Sequence, residues 1–352
     1  MNANAPIHWP DAARQQAFDA WLAPLCDSHQ LDRSSLALAS VDASFRRYFR
    51  LQGAQASVIV MDAPPPREDV RPFIDLAQRI QAAGLHAPQV LAANVALGFL
   101  LLEDLGPGLY LDALASADNA TADRLMGDAI SALLRWQQHG DPSGLPRYDE
   151  ALLRTEMQLF PDWCVGREHG ITWSPTQTAQ WDRISTALLN SALAQPVVAV
   201  HRDWMPRNLM VCEPNPGILD FQDAVLGPVT YDMVCLLRDT FISWDEEREL
   251  DWAVRWWQGA RQAGLLQGHA MQDDFAECWR AMEWMGLQRH LKVLGIFCRL
   301  KHRDDKPRYS TDLPRFFAYV TRVALRYREL QPLIALIEPM SGPLTTTGYS
   351  MR

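Results

Sequence analysis

Short apolar or arginine-alternating runs, set between two helical stretches, mark the first hundred residues, and helical periods dominate after that. An amphipathic opening segment, about Ala12 to Ser28, predicts a helix. Ser35–Val41, Phe45–Leu51 and Ser57–Met61 then read as strands, broken by Asp42-Ala43-Ser44 and by Gly53. Ala63-Pro64-Pro65-Pro66 stops the third run. Glu68 to Ala83 places Val70, Phe73, Ile74, Ala77 and Ile80 on one helical face, with Gly84 as its stop. Gln89–Asn94 and Gly98–Leu102 follow as strands and lead into Glu103-Asp104-Leu105-Gly106-Pro107-Gly108, a break from strand to loop. Three strands, a helix and two strands predict a small sheet-dominated lobe.

Helical periods dominate from Leu111 onward: Ala120–His139, Tyr148–Phe160, Thr176–Leu193, Tyr231–Ser243, Glu247–Ala263, Phe275–Arg303 and Leu313–Arg328. Three short strand candidates interrupt them, Val197–Val200, Leu209–Cys212 and Gly217–Leu219. The second lobe is therefore expected to be mostly α, its polar motifs gathered around those strands.

Composition adds bounds. With 352 residues the chain suits two lobes rather than one core. A formal charge of −9 argues against a broad duplex-binding surface, so no nucleic-acid partner is expected. No run reaches the roughly 18 unbroken apolar residues of a membrane helix, and the first residues lack a secretory pattern. The six cysteines have neither CxxC pairing nor zinc spacing and read as buried, reduced thiols. A cytoplasmic protein is expected. One skew has chemical consequences: Lys292 is the first lysine, followed only by Lys301 and Lys306, so arginine carries nearly all the positive charge.

The strongest motif is Val200-His201-Arg202-Asp203-Trp204-Met205-Pro206-Arg207-Asn208-Leu209, a strand, H-R-D-x-x-x-x-N, and a strand. Gly217-Ile218-Leu219-Asp220-Phe221 then delivers an aspartate at the end of an apolar run. Phosphoryl transfer needs this inventory: one carboxylate beside the attacking hydroxyl, and hard oxygens that hold Mg²⁺ against phosphates. Asp203 would orient the hydroxyl and accept its proton. Asn208 and Asp220 would supply metal oxygens, brought together by a hairpin.

These residues resemble the aminoglycoside phosphotransferase/choline kinase branch of the protein-kinase-like fold. Further runs narrow the resemblance to the bacterial anomeric N-acetylmuramate/N-acetylglucosamine kinases of that superfamily: Phe45–Leu51, Val60–Pro65, Leu100–Gly106, Thr155–Trp163, Ile218–Ala224 and Gly295–Asp304. The resemblance spans roughly residues 40 to 330. It implies an α+β, bilobal fold with a small antiparallel-sheet nucleotide lobe, 1–105, and a mostly helical lobe, 106–352, carrying the catalytic loop and sugar site. It implies ATP and Mg²⁺ as cofactors and transfer to the C1 hydroxyl of N-acetylmuramic acid or N-acetylglucosamine. The α-1-phosphate would pass to a sugar-1-phosphate nucleotidyltransferase in cell-wall recycling. Carried over by position, Asp203 matches the catalytic aspartate, Asn208 and Asp220 the metal ligands, and Glu103 to Leu105 the hinge whose backbone would pair with adenine. Asp232 matches a family aspartate and reads as structural.

The departure is the missing phosphate-binding lysine, expected near Val60 or Met61. Arg46, Arg47 and Arg50 are the available substitutes, and a guanidinium suits two-point contact with phosphate. Arg46 and Arg47, as strand neighbours, should point to opposite faces, so only one of them is expected to reach the nucleotide, the competing reading being a solvated strand face; Glu68 is either the partner of that cation or a first-turn partner of the helix dipole. Sugar-site candidates are Trp204, next to Asp203, then Trp163, Glu156 and Arg303. Arg303 belongs to a basic cluster with Arg299, Lys301 and His302 that could face a lactyl carboxylate or simply complete a helix C-terminal turn, where cations are favoured. For Glu156 a helix-surface carboxylate is the competing reading. The same fold acting on an aminoglycoside or choline, and a non-catalytic nucleotide-binding regulator, remain as alternatives.

Overall fold

The computed structural model of the chain describes residues 7, 9, 11–41 and 45–341. The expected turn at residues 42–44 and most of the first ten positions lie outside them. In chain order the elements are α1 (Ala12–His29), β1 (Leu31–Val41), β2 (Arg47–Gly53), β3 (Val58–Asp62), α2 (Arg71–Ala82), β4 (Val90–Asn94), β5 (Phe99–Glu103), α3 (Tyr110–Ala115), α4 (Asn119–His139), α5 (Glu150–Leu159), α6 (Pro175–Leu193) and β6 (Val197–Val200). They continue with β7 (Leu209–Met210), β8 (Gly217–Ile218), β9 (Val225–Pro228), α7 (Tyr231–Leu237), α8 (Glu246–Gln262), α9 (Phe275–Asp304), α10 (Leu313–Arg326) and α11 (Pro332–Ser341). The chain divides into two compact units, Met1–Asp141 with Pro206–Asp223, and Pro142–Met205 with Ala224–Arg352.

The first unit is built on a five-stranded sheet in the order β1-β2-β3-β5-β4, with every neighbouring pair antiparallel. Strand period two explains its core: Phe49 and Leu51, Val58 and Val60, and Phe99 and Leu101 are buried on one face against Phe18 and Leu22 of α1. Asp62 lies on that same face with no exposed surface. It is neutralised by two guanidinia: Arg14 Nε donates to Oδ1 at 3.0 Å, and Arg47 Nε donates to Oδ2 at 3.0 Å. Paired in this way, a buried carboxylate is tolerable. The helix expected from Glu68 begins at Arg71, because Pro72 in its first turn has no N–H to spend and marks the start.

In the second unit α9 is the central element, buried almost without interruption from Ala281 to Cys298. After α5 the chain widens into a π-type helix over Phe160–Glu168, which the α-helical period did not predict. Gly295 of α9 lies where α5 ends. A Cβ there would sit 2.4 Å from the Leu159 carbonyl carbon and 2.5 Å from its oxygen. Since backbone atoms cannot swing aside, Gly295→Ala is expected to destabilise the protein by about 1–3 kcal/mol. Thermal unfolding checks this, and an unchanged Tm would show that α9 can shift at no cost.

Two element expectations need correction. The helix from Tyr231 ends at Leu237 rather than Ser243. Arg238 leaves helical angles (φ −124°, ψ 65°), and its guanidinium donates to Glu249 at 3.0 Å and Glu283 at 3.1 Å. A fourth short strand, β9, pairs antiparallel with β6, Val200 opposite Val225. Its Val-Leu-Gly-Pro sequence reads locally as a turn, so only the long-range pairing makes it a strand.

Candidate active site

Within the second unit, β6 ends at Val200 and the loop His201–Met205 begins. Asp232, in the first turn of α7 and fully buried, accepts the backbone N–H groups of His201 (2.7 Å) and Arg202 (2.9 Å). Burial pushes its carboxyl up to about 7, against the pull of these two donors. The structural reading of Asp232 therefore acquires a mechanism: it ties α7 to the loop. His201 is buried, its Nδ1 facing the Asp203 N–H at 3.2 Å. Arg202 adopts φ +77°, left-handed backbone that costs a non-glycine residue energy and persists only where the surroundings hold it. Asp203 comes next, half-buried, its C=O accepting the Met205 N–H at 2.9 Å.

The first unit carries the rest of the motif. A 3₁₀ turn, Pro206–Asn208, leads into the antiparallel hairpin β7–β8, with Leu209 opposite Ile218. The Leu219 N–H donates to the Asn208 C=O at 2.9 Å, and the hairpin brings Asn208 Nδ2 to 3.3 Å from Asp220 Oδ2. Asp220 is itself left-handed, φ +60°, and Gln222 Nε2 donates to its Oδ1 at 2.9 Å. No larger cluster of acidic, histidine or cysteine side chains that could hold a metal exists among the described residues. A carboxylate beside a side-chain amide, with no all-protein cage among the described residues, suits Mg²⁺, which keeps waters and takes its remaining ligands from phosphates.

The three arginines differ in direction and in partner. Arg47 points to the α1 face, bound to Asp62 and lying over the Trp9 ring at 4.5 Å. Arg46 points the other way and donates from Nε to Glu68 at 3.0 Å, both side chains nearly buried. Glu68 sits in the turn ahead of α2 and also accepts the Phe45 N–H at 3.1 Å. Burial pulls the Arg46 pKa down, but Tyr48 and Glu68 more than restore it. Arg50 has a different task. It binds Asp104 at 2.5 and 2.9 Å, and Asp104 also accepts from Ser57 and the Gly106 N–H, which fixes the end of β5. The expectation for Glu103 needs narrowing, since its N–H donates to the Gln89 C=O at 2.9 Å and is not available to a ligand. The Leu105 N–H and C=O carry no hydrogen bond among the described residues.

The sugar candidates separate. Trp204 is fully buried and packs edge-on against His201, centroids 5.4 Å apart. A ring with no exposed face cannot be a stacking platform, so Trp204 is a core residue beneath the loop. Glu156 is no surface carboxylate: it is buried, with Arg202 Nη2 donating to it at 2.6 Å. Trp163 and Arg303 do come together, lining an open groove of about 390 Å³ with Asp162, Arg167 and His302. In the basic cluster, Lys301 and His302 bind Glu168 at 2.7 and 2.6 Å, and Arg303 binds Asp304 at 2.8 Å. Sequence reasoning missed Tyr148, Tyr231 and Lys292 as neighbours of the loop. The one available signal was a lone lysine inside an apolar run, Leu291-Lys292-Val293-Leu294.

Residues 35–290 match the phosphotransferase enzyme family. The chain belongs to that family. Among its relatives, an N-acetylmuramate/N-acetylglucosamine kinase of Pseudomonas putida is 53% identical over 313 residues, 89% of this chain and 90% of the relative. A protein of the same name from Pseudomonas aeruginosa is 48% identical, covering 93% and 97%, and one from Neisseria meningitidis serogroup B 43%, covering 94% and 96%. Among solved structures, ADP-bound aminoglycoside phosphotransferase APH(2'')-Ib aligns with a TM-score of 0.57 at 14% identity, covering 89% of this chain and 99% of that one. A choline/ethanolamine kinase family protein from Mesorhizobium loti aligns at 0.55 and 15%, covering 92% and 99%. The antiparallel sheet and the helical remainder are thus those of the aminoglycoside phosphotransferase fold, and the chain is a phosphotransferase. No helix among the described residues is long and apolar enough to cross a membrane.

Proposed function

We propose that this phosphotransferase uses ATP and Mg²⁺ to phosphorylate the anomeric hydroxyl of N-acetylmuramic acid and N-acetylglucosamine. The observation that carries the substrate is identity of 43–53%, over about nine-tenths of the chain, with kinases of that name. Asp203 orients the C1 hydroxyl and accepts its proton; Asn208 and Asp220 hold Mg²⁺, which neutralises phosphate charge when bound. The adenine edge meets the backbone near Leu105, at the expected end of the nucleotide lobe, 1–105, with the sugar held by the lobe 106–352. Trp163 and Arg303 are the remaining sugar-side candidates, and the groove they line supports that role. The enzyme is cytoplasmic on this reading, and a sugar-1-phosphate nucleotidyltransferase would consume its product.

The test is ADP release with ATP and Mg²⁺ on a panel of N-acetylmuramic acid, N-acetylglucosamine, kanamycin and choline, with ³¹P NMR of the product. Phosphate on C1 supports the reading. Phosphate on C6, or turnover on kanamycin or choline alone, overturns the substrate assignment.

Arg46, paired with Glu68 as the phosphate-binding lysine of protein kinases pairs with a glutamate, takes the lysine's place. Arg46→Ala is expected to raise the apparent KM for ATP about tenfold or more, the worth of a charge-assisted hydrogen bond. Arg47→Ala is expected to leave that KM nearly unchanged and instead to lower stability by about 1–3 kcal/mol, because Asp62 loses one of its two cations. Equal effects of both on KM would sink the assignment.

A further inference from the structure

Behind the catalytic loop, three donors converge on one buried carboxylate, Glu156. Lys292, 8% exposed on α9, donates from Nζ to Glu156 Oε1 at 3.1 Å and to the Tyr231 hydroxyl at 2.9 Å. The same Glu156 oxygen accepts from Arg202 Nη2 at 2.6 Å, and Oε2 accepts from the Tyr148 hydroxyl. Both oxygens of Glu156 therefore have protein donors, two on Oε1 and one on Oε2. Burial disfavours both charges, pulling Lys292 down and pushing Glu156 up. The opposite charges and the hydroxyls outweigh it, so Lys292 ends above its ordinary pKa and Glu156 below its own.

Buried ion clusters seldom stabilise a fold more than well-packed apolar residues of the same volume would. This cluster needs another reason, and its position supplies one. It terminates on Arg202, the residue just before Asp203 and one held at φ +77°. The Arg202 backbone is gripped on both sides, its N–H by Asp232 at 2.9 Å and its C=O by the Cys235 thiol at 3.3 Å. Its side chain is gripped by Glu156. Relaxation to ordinary backbone angles would rotate the Arg202–Asp203 peptide and swing the Asp203 carboxylate.

We infer that Lys292 is a positioning residue: through Glu156 it clamps the Arg202 guanidinium, and that clamp holds the left-handed turn that aims Asp203. The inference rests on the reading of Asp203 as the base. It also moves Glu156 from the sugar site to the support of the loop.

The experiment compares Lys292→Met, Lys292→Arg, Glu156→Gln and the Lys292→Met/Glu156→Gln double variant with wild type and Asp203→Ala, by steady-state kinetics on N-acetylglucosamine and by thermal unfolding. Lys292→Met is expected to lower kcat on the order of a hundredfold, the cost of a small misplacement of a reacting group. The KM for sugar and for ATP should change by less than about threefold. Lys292→Arg should recover most of the rate, and the double variant should be no slower than the slower single, since both act through one route. Wild-type kcat in Lys292→Met overturns the inference. So does a raised sugar KM at unchanged kcat in Glu156→Gln, which would put that carboxylate on the substrate. Equal losses in Lys292→Met and Lys292→Arg that track lowered Tm would leave only a structural role and also overturn it. If Lys292→Met does not fold, Glu156→Gln and the volume-conserving Tyr231→Phe carry the same kcat-against-KM test. Turnover that survives in Asp203→Ala defeats the reading of Asp203 and not the clamp. A crystal structure of Glu156→Gln decides the clamp without turnover: Arg202 still left-handed and Asp203 unmoved would refute it.

Discussion

Asp203→Ala is expected to lower kcat by about 10²–10⁴, the usual contribution of a positioned general base, while nucleotide affinity stays near wild type. The backbone around Asp203 is fixed from outside its own side chain. Asp232 holds the two preceding N–H groups, His201 Nδ1 faces the Asp203 N–H, and the Met205 N–H closes the turn. Removal of the carboxylate thus leaves the loop's scaffold in place. Asp203→Asn sharpens the test, since it keeps the volume but cannot accept the proton. The two variants should be similarly inactive with unchanged Tm, read by ADP release and by differential scanning calorimetry. Asp203→Asn within a few-fold of wild type would show that orientation, not proton acceptance, is the work done at this position.

Asp220→Asn should have an effect of comparable size, a fall in kcat of about 10²–10³ together with a raised Mg²⁺ requirement. The substitution removes the charge at nearly constant volume and also the oxygen that Asn208 Nδ2 faces at 3.3 Å. Asn tolerates left-handed backbone about as well as Asp, so the φ of +60° can be kept without new strain. The amide also retains an oxygen for Gln222. What disappears is the negative charge and the second hard oxygen of the pair with Asn208. Titration of Mg²⁺ at saturating ATP and sugar checks this. An unchanged metal dependence would remove Asp220 from the metal site, whatever happened to the rate.

Local signals were legible in the sequence and long-range ones were not. The alternation of Phe49 with Leu51 and of Val58 with Val60 marked the sheet face because a strand's period is set by its own residues. The loop from His201 to Asn208, with Asp220 beyond the hairpin, was legible for the same reason: its chemistry is packed into twenty residues. By contrast, Glu156 meets Arg202 across 46 positions and Lys292 across 136, and no local pattern announces such a meeting. Trp204 misled for a related reason. Adjacency to Asp203 fixes where its Cα is but not where its ring points, and the ring turns into the core. The stop at Arg238 goes with tertiary partners, Glu249 and Glu283, which override a helical period that is otherwise clear.

The Arg46–Glu68 pair sits in a unit that contains no lysine at all. A guanidinium keeps its proton at any pH a folded enzyme survives and is a poor nucleophile. Enzymatic lysine acetylation, and the capping of a phosphate-binding lysine by cyanate or amine-reactive acyl probes, find no lysine there. Control of this unit through reversible lysine acylation is closed off by its chemistry, and alkaline pH cannot discharge the cation opposite Glu68.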